Sequence, residues 1–482
     1  MDATLTAEIS LTKSLNPLTS SNLHKATSST SSTSSWLISP PNVRHLYASD
    51  GFLNSRNRNS ALFLTYCKKA DTDRDNTTNN KNSIIEPSST SNFPAELPKH
   101  HSNQPISSSS SSSYTRGLVF DLGPDNSWDS FEIGSPVVKR FLSDEEERWY
   151  MWYHGSSNGN PPLDSIGLAV SSNGIHWDRG IGPVQSSGDT GVVMTCGEDW
   201  WAFDTQSIRP CEVMIMSSTR VRSNSGVYWL YYTGYSSEEI DFQDEYMRFK
   251  LQNPERVLTI DDKSKVFKSL PGLAMSQDGR HWARIEGEHH SGALFDVGSS
   301  GEWDSMFITS PQVVFHGNAD IRMYYHSFDP ENGEFAVGVA RSRDGMKWVK
   351  LGKVIGGGGV GAFDEFGAMN ARVARNKRDG KYLMVYEGVA SDGRRSIGLA
   401  ASVDGLKEWM RYEGDAVLKP SEEDRWDDRG VGSPCLVQMD GAEDEWRLYY
   451  RGFGQGGRMG IGMAVSEGSE IRSFRRWTGF HL

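Results

Sequence analysis

The stretch IGLAVSSNGIHW, residues 166–177, decides the fold, because close variants of it return along the chain. Each variant begins with alternating apolar residues, passes through Asn-Gly or Asp-Gly, and resumes with a tryptophan. The copies are GLAMSQDGRHW (272–282), GVARSRDGMKW (338–348), GLAASVDGLKEW (398–409) and the degraded GMAVSEGSEIRSFRRW (462–477). Asn-Gly and Asp-Gly suit the positive φ angles of a tight hairpin turn. Each copy is therefore predicted to form two antiparallel strands.

Two more strands are predicted before each hairpin. One is rich in aromatic residues and occurs at 148–155, 228–234, 322–328, 381–388 and 446–452. The other follows an aromatic-Asp dipeptide, whose aspartates are Asp129, Asp204, Asp304, Asp364 and Asp427. Four strands per repeat, five repeats and no helical periodicity predict an all-β fold, a five-bladed β-propeller with four antiparallel strands per blade. Because GLVFDLG near residue 117 echoes GALFDVG near residue 292, residues 117–122 are predicted to add an outer strand to the last blade.

The first 115 residues are crowded with Ser, Thr and Asn, a composition that cannot bury enough apolar surface to offset the entropy cost of ordering. Residues 1–70 are predicted to be a transit peptide, because hydroxyl residues dominate them and acids are scarce. Residues 71–115 are predicted to be a disordered Ser/Asn-rich linker, and residues 116–482 the propeller. Sparse arginine before Arg44 favours the chloroplast stroma over the mitochondrion. A plain disordered tail is the alternative.

Charge and cysteine content exclude several classes of function. The formal net charge of −12 argues against a nucleic-acid partner. No run of eighteen apolar residues exists that could span a membrane. The four cysteines, at positions 67, 196, 211 and 435, offer neither a disulfide framework nor a CxxC spacing, and the histidines show no HxxxH or HxH spacing in the predicted blades. No metal site and no cofactor are therefore predicted.

The order of these cues resembles a known superfamily. An xSPxV segment, then WYxxG or YxxYY, then IGxAxSxDGxxW is similar to the five-bladed arabinanases, levansucrases and invertases and to the related mannoside phosphorylases, over residues 117–482. The resemblance implies a glycosidase-like site in a central funnel. It also implies a carboxylate before the repeated Pro of the first blade and a glutamate two places before the Pro of a later one. Here Ser135 stands at the first place, and no glutamate stands at the second.

A single funnel site needs side chains that differ from blade to blade. Before the repeated Pro, the blades are predicted to offer Ser135, Arg209, Ser310, Asn370 and Ser433. At the end of the aromatic strand they offer His154, Thr233, His326, Glu387 and Arg451. Antiparallel pairing brings these two sets to one face of the sheets. The funnel is therefore expected to be lined by these polar groups.

Roles follow from chemistry. Glu387 is predicted to act as a catalytic acid if apolar neighbours raise its pKa. Candidate catalytic bases are Asp129, Asp304 and Asp364. The alternative role for these three aspartates is that of structural anchors. The predicted substrate-binding residues are His154, Arg209, His326, Asn370, Arg451 and Trp201. Arg209, Arg372 and Arg451 suit an anionic group such as phosphate, or else neutralise the repeated aspartates. Glu212 is expected to pair with Arg209.

Two functions remain open at this point. The first is a glycoside hydrolase-like protein that binds or processes a glycoside or a sugar phosphate in the central funnel. The second is a catalytically inactive propeller that serves as a binding or assembly scaffold in the plastid. The insertion at 235–272 is long enough to act as a lid or to contact a protein partner.

Overall fold

The structure is a computed structural model. It describes residues 115–142, 147–159, 163–218, 227–240, 252–256, 265–317, 319–412, 415–440, 445–468 and 471–479, together with the backbone of Val43–His45. All of these lie in the unit Asn42–Leu482. The predicted transit peptide (1–70) and linker (71–115) lie outside the described residues, apart from Val43–His45 and Thr115.

The described residues are β-strands joined by turns, with one short 3-10 helix at Gln455–Gly457 and no α-helix among them. The prediction of an all-β fold is thereby confirmed. The strands fall into five successive groups, each built mainly by antiparallel neighbours in chain order. A single parallel bridge, Arg395 to Gly430, joins the fourth group to the fifth, so that these two form one sheet.

The strands are numbered in chain order. Before the first group come β1 Val43–His45 and β2 Leu118–Asp121. The first group contains β3 Glu132–Leu142, β4 Glu147–Ser156, β5 Ser165–Ser171, β6 Asp178–Arg179 and β7 Gly191–Met194. The second contains β8 Ser207–Ser218, β9 Val227–Glu239, β10 Phe267–Ser276 and β11 Ala283–Ile285. The third contains β12 Thr309–Gly317, β13 Asp320–Asp329, β14 Glu334–Ser342 and β15 Trp348–Ile355.

The fourth group contains β16 Ala368–Arg375, β17 Tyr382–Val389, β18 Arg395–Ser402 and β19 Met410–Arg411. The fifth contains β20 Gly430–Gln438, β21 Trp446–Phe453, β22 Met459–Ser466 and β23 Phe474–Arg476. Strand β1 pairs with β8, and β2 pairs antiparallel with β22. The predicted addition of residues 117–122 to the last repeat is therefore confirmed by the β2–β22 pairing.

The repeated hairpins exist, but their turns are longer than predicted. In the first, Val170 pairs with Asp178, so seven residues separate the paired positions, which is more than a tight hairpin turn contains. Asn173 Oδ1 accepts hydrogen bonds from the backbone N–H groups of Ile175 and His176, while Gly174 has φ +74°. An Asx-type turn needs a positive φ angle only at its glycine. This turn type therefore explains the repeated Asn-Gly and Asp-Gly pairs, and a type I′ turn is not required.

Consecutive aromatic residues on the second strand of a group face opposite sides, as the period of two requires. In the second group, Tyr231 donates to the carbonyl of Gly345 in the next group at 3.0 Å, whereas Tyr232 donates to Asp204 of its own group at 3.0 Å. The fifth group repeats the rule toward the first, because Tyr449 donates to the carbonyl of Gly174 at 2.8 Å. The YY and WY dipeptides of the first, second, third and fifth groups therefore join each of these groups both to its neighbour and to its own first segment.

The first strands of the groups meet in cyclic order: β3 contacts β8, β8 contacts β12, β12 contacts β16, β16 contacts β20, and β20 contacts β3. Apolar clusters follow the same order, and one of them joins the last group to the first through Tyr449, Ile461, Met151 and Trp149. Burial of these large side chains is the main driving force for holding the groups together. The centre at which the first strands meet is called the hub below.

Candidate functional site

A bulge recurs near the start of the first strands and turns their opening residues toward one region. The residue before the repeated Pro has positive φ in Ser135 (48°), Ser310 (55°), Asn370 (50°) and Ser433 (44°), and the pairing register shifts at each of these places. Left-handed backbone in non-glycine residues is uncommon and is usually maintained by the surrounding structure. The bulge is therefore a recurring feature that the fold maintains at the same end of these first strands.

The placement of Arg209 in this series is wrong by one residue. Arg209 pairs with Thr233, as Gly134 pairs with His154 and Gly432 with Arg451. Pro210 therefore occupies the place of the positive-φ residues. Proline is restricted to negative φ, so the second group has a different bulge. Arg209 consequently shares its position with Gly134, Thr309, Met369 and Gly432.

Glu387 lies on the wall of a cleft of about 540 Å³. Its carboxylate is buried and accepts hydrogen bonds from Asn370 Nδ2 at 2.9 Å, from the N–H of Ser433 at 2.8 Å and from Arg395 Nη1 at 2.8 Å. Burial raises the pKa of Glu387, while the donors Asn370 and Ser433 and the charge of Arg451 oppose that rise. Glycine is required at position 432, since a Cβ there would lie 2.2 Å from Glu387 Oε2.

Arg395 connects Glu387 to the insertion between β9 and β10. The same nitrogen, Arg395 Nη1, forms ion pairs with Glu387 Oε1 and with Glu255 Oε1. Both carboxylate oxygens are thus within hydrogen-bond reach of one atom, which places them within roughly 6 Å of each other. Burial and the charge of Arg451 lower the pKa of Arg395 to about 10, so it remains a cation at neutral pH.

Glu132 is a fully buried carboxylate of the site. Arg451 Nη2 lies 2.7 Å from its Oε1, Arg209 Nη2 lies 3.4 Å from the same atom, and Arg256 Nη1 lies 3.7 Å from Oε2. Burial alone would raise the pKa of Glu132, but Arg451 and Arg256 outweigh it and hold the pKa well below its usual range. Glu132 is therefore ionised, and its Oε1 accepts hydrogen bonds from Arg209 and Arg451.

Asp164 extends this cluster. Its carboxylate accepts Arg209 Nε at 2.7 Å and forms an ion pair with Arg256 Nη1, which belongs to the insertion. Despite burial, Arg209 and Arg256 lower the pKa of Asp164. The described insertion residues, 252–256, thus reach the centre of the site, whereas 241–251 and 257–264 lie outside the described residues.

The two predicted histidines are buried and neutral at physiological pH. Burial and Arg209 lower the pKa of His154 to about 4, although its Nε2 lies 3.7 Å from Glu132. Burial and Arg372 lower the pKa of His326 to about 3, and its Nδ1 accepts the N–H of Asn370 at 3.2 Å. Neither histidine is among the residues that line the cleft.

The three aspartates predicted as catalytic bases share one kind of environment with the equivalent Asp204 and Asp427 of the other two groups. Each accepts a hydrogen bond from a tyrosine of its own second strand and one ion pair from a cation of its own group. The pairs of donors are Tyr153 and Arg179 for Asp129, Tyr232 and Arg284 for Asp204, Tyr325 and Lys350 for Asp304, Tyr386 and Arg411 for Asp364, and Tyr450 and Arg476 for Asp427. Such repetition favours the anchor role over catalysis, and none of the five lines the cleft.

Other predicted residues are placed as follows. Arg451 lines the cleft, and Asn370 links Ser310 Oγ, at 2.6 Å, to Glu387. Trp201 is 41% exposed and does not line the cleft.

The expected pair between Glu212 and Arg209 is wrong: Glu212 binds Lys139 and accepts a hydrogen bond from Gln312 Nε2 at 2.9 Å. The arginines Arg209 and Arg451 neutralise Glu132 and not the repeated aspartates.

The prediction missed Glu132, Asp164, Arg395, Glu255 and Arg256. One signal was available for Glu132, which stands three residues after Asp129, where the other groups carry Ser207, Phe307, Gly367 and Gly430. Arg395 similarly stands two residues before a paired isoleucine, at the place that Asp164 occupies in the first group. Nothing in the repeat predicts the contacts of Glu255 and Arg256, because both belong to the insertion.

Among the described residues, no three His, Cys, Asp or Glu side chains are placed to hold a metal ion. The free cysteines Cys196, Cys211 and Cys435 are buried or half-buried. No helix in the described part of the chain is long and apolar enough to cross a membrane.

No protein-family model matches this chain, and no curated protein is similar to it in sequence. Similar solved structures include a glycoside hydrolase, 17% identical over 76% of this chain and 94% of that one, with a TM-score of 0.49. Another is described under the GH130 family of mannoside phosphorylases, which contains glycoside hydrolases that target β-1,2-mannosidic linkages in Candida mannan. It is 14% identical over 76% of this chain and 95% of that one, with a TM-score of 0.49. A third is the Bombyx mori GH32 β-fructofuranosidase, 12% identical over 75% and 65%, with a TM-score of 0.47.

These neighbours are glycosidases and mannoside phosphorylase relatives, the groups that the sequence resembles. At such identities and scores, however, the likeness by itself says nothing about the activity of this chain.

Proposed function

We propose that the five strand groups are the blades of a closed five-bladed β-propeller. Support comes from the cyclic order in which the first strands meet, with β20 in contact with β3. The hydrogen bond from Tyr449 to Gly174 and the addition of β2 to β22 connect the two ends of the described fold. A crystal structure that contained another number of blades, or an open ring, would overturn this arrangement.

We further propose that the cleft binds a glycoside that carries an anionic group, such as a sugar phosphate, and that the protein processes it in a glycosidase-like reaction. The observation that carries this proposal is the carboxylate pair of Glu387 and Glu255 on the single guanidinium of Arg395. Retaining glycosidases use two carboxyl groups only about 5–5.5 Å apart, one protonated and one ionised, and two carboxylates on one nitrogen lie at the short end of this range. In this reaction Glu387 would donate the proton, since burial raises its pKa.

The charge of the cleft supports the anionic substrate. Its lining contains the arginines Arg256, Arg395, Arg429 and Arg451 but only two acidic side chains, Glu255 and Glu387. A phosphate or carboxylate suits the planar fork of a guanidinium. The glycines at 432, 454, 456 and 457 leave space for a sugar ring close to the backbone, and Phe453 adds an aromatic wall.

A second candidate function is a catalytically inactive scaffold. It is favoured by one specific observation: the cleft carboxylates Glu387 and Glu255 both form ion pairs with arginine, as does Glu132 beneath them. Ion-paired carboxylates are held in the ionised state, which is unsuitable for a general acid. In this case the protein would bind the anionic ligand without converting it.

The decisive experiment incubates the full chain with a panel of glycosides and sugar phosphates, with and without inorganic phosphate, beside Glu387→Gln and Glu255→Gln. Hydrolase or phosphorylase chemistry predicts a loss of turnover of at least about 100-fold in Glu387→Gln. The matched control is Glu302→Gln, at an exposed glutamate that bonds only the local backbone N–H of Ser299 among its described contacts. Binding without turnover supports the scaffold, and absence of both rejects the two functions.

We also propose import into the plastid and a protein contact through the insertion at 235–272. Both follow from sequence composition and loop length alone. A fluorescent fusion of residues 1–70 that remained in the cytosol would contradict the first. A deletion of residues 241–251 that changed no co-purifying protein would contradict the second.

A further inference from the structure

Arg372 is a buried cation of the hub, and no carboxylate of the described residues forms an ion pair with it. It lies on β16 just after the bulge and pairs across the ladder with Val385. The same place in the other groups holds Val137, Glu212, Gln312 and Cys435. Arg372 is only 8% exposed, and its Nε and Nη1 have no hydrogen-bond partner among the described residues. It is also not among the residues that line the cleft.

Arg372 lies on a strand that borders the hub, because β16 contacts β12 of the third group and β20 of the fifth. The charge of Arg372 also acts on Cys211, Cys435 and His326, which belong to the second, fifth and third strand groups. The buried guanidinium is therefore a charge of the hub.

None of these neighbours carries a negative charge. Burial, together with Arg372, lowers the pKa of His326 to about 3, so the imidazole is neutral. Burial raises the pKa of the thiols of Cys211 and Cys435, although Arg372 opposes this, so both thiols are protonated. Glu212 is already bound to Lys139 and to Gln312 Nε2 at 2.9 Å.

The other central arginines form ion pairs with carboxylates. Arg209 and Arg451 each lie within 3.4 Å of a carboxylate oxygen of Glu132, and Arg209 also binds Asp164. A buried charge without a partner is strongly destabilising, which is why buried charges are normally paired. Arg372 breaks this rule within a fold that otherwise pairs its central cations.

We propose that the hub binds a small inorganic anion of chloride size on Arg372, as a structural ligand separate from the cleft. A small anion is chosen because Arg372 is only 8% exposed and does not line the cleft, which leaves little room for a larger ligand. The guanidinium N–H groups of Arg372 supply the donors, because its Nε and Nη1 are unpartnered among the described residues. This site does not depend on the proposed sugar chemistry.

The test measures the melting temperature of the full chain while chloride replaces gluconate from about 1 to 300 mM at constant ionic strength. A ligand that binds only the folded state should raise it, here by about 2–4 °C for millimolar affinity. Arg372→Met, which keeps the length of the side chain and removes the charge, should abolish the rise. Arg394→Met is the control, because that arginine is exposed and lies in a hairpin; it should retain the rise.

Other outcomes are also decisive. No chloride dependence in the wild type overturns the proposal, as does a rise that persists in Arg372→Met. A larger rise with phosphate than with chloride overturns the assignment to a small anion if that larger rise is lost in Arg372→Met. If Arg372→Met fails to fold, crystals of the wild type grown in bromide settle the matter: an anomalous peak beside Arg372 Nε or Nη1 supports the site, and an ordered water there refutes it.

Discussion

Glu132 allows the sharpest test of the central ion cluster. Its carboxylate is fully buried and lies 2.7, 3.4 and 3.7 Å from nitrogens of Arg451, Arg209 and Arg256. At an effective dielectric constant of 20, each contact is worth about 4–6 kcal/mol of gross attraction. Most of this is offset by the cost of removing the charges from water. We therefore expect Glu132→Gln, which leaves the arginines unpaired, to lower the free energy of unfolding by about 3–5 kcal/mol.

The assay is urea unfolding at pH 7, followed by tryptophan fluorescence. The control is Glu239→Gln, which removes the same charge from an exposed pair with Lys265 at 2.7 Å and should cost less than about 1 kcal/mol. Equal losses in the two variants would refute the reasoning, as would a loss below about 1 kcal/mol in Glu132→Gln.

The pH dependence gives this prediction a second readout. The pKa of Glu132 is lowered in the folded state, so its contribution is fully present above the unfolded pKa of about 4.3 and is lost as the pH falls through the folded pKa. The difference in stability between wild type and Glu132→Gln should therefore shrink below about pH 4. A difference that grew on acidification would contradict the ion-pair account.

Three further outcomes are expected. Asp304→Asn removes the charged acceptor shared by a tyrosine and a lysine, and should lower the free energy of unfolding by roughly 1–3 kcal/mol in urea titrations; an unchanged midpoint would reject the anchor role. Gly432→Ala places a Cβ 2.2 Å from the carboxylate of Glu387 and should weaken binding of a sugar phosphate, measured by calorimetry. The control Gly317→Ala, where a Cβ meets nothing within 4 Å, should leave that binding unchanged. Asn370→Ala removes a donor to Glu387 and so should raise its pKa, which moves the alkaline limb of any pH–rate profile to higher pH; a shift to lower pH would contradict this.

Much of the fold was predictable because its signals are local and recur. The hairpin motif, the aromatic dipeptides and the aromatic-Asp segments each act within one group, so their spacing alone predicted the strands and the added β2. The turn length was misjudged, since Asn-Gly and Asp-Gly suit two turn types and only the bonds of Asn173 distinguish them. The strand position of Arg209 was predicted wrongly, because Pro210 stands one residue before the place that the repeated Pro occupies in the other groups.

The site was predictable only where one strand position differed from its copies. Glu387, Asn370 and Arg451 were found in this way, because register along a strand determines which face a side chain occupies. Their partners could not be found by the same rule. Glu387 meets Arg395 from the next strand, and Arg395 meets Glu255 from the insertion; the ladder register does not encode either contact.

The sequence by itself determined the all-β repeat, the anchors and the ends of the strands where polar groups gather, since these depend on neighbours a few residues apart. Only the tertiary structure decided which charges neutralise one another. Glu132 meets Arg451, which is 319 positions away, and Arg256, from a segment without any repeat. Coulombic attraction depends on distance in space and on burial, and neither quantity can be read from the order of residues along the chain.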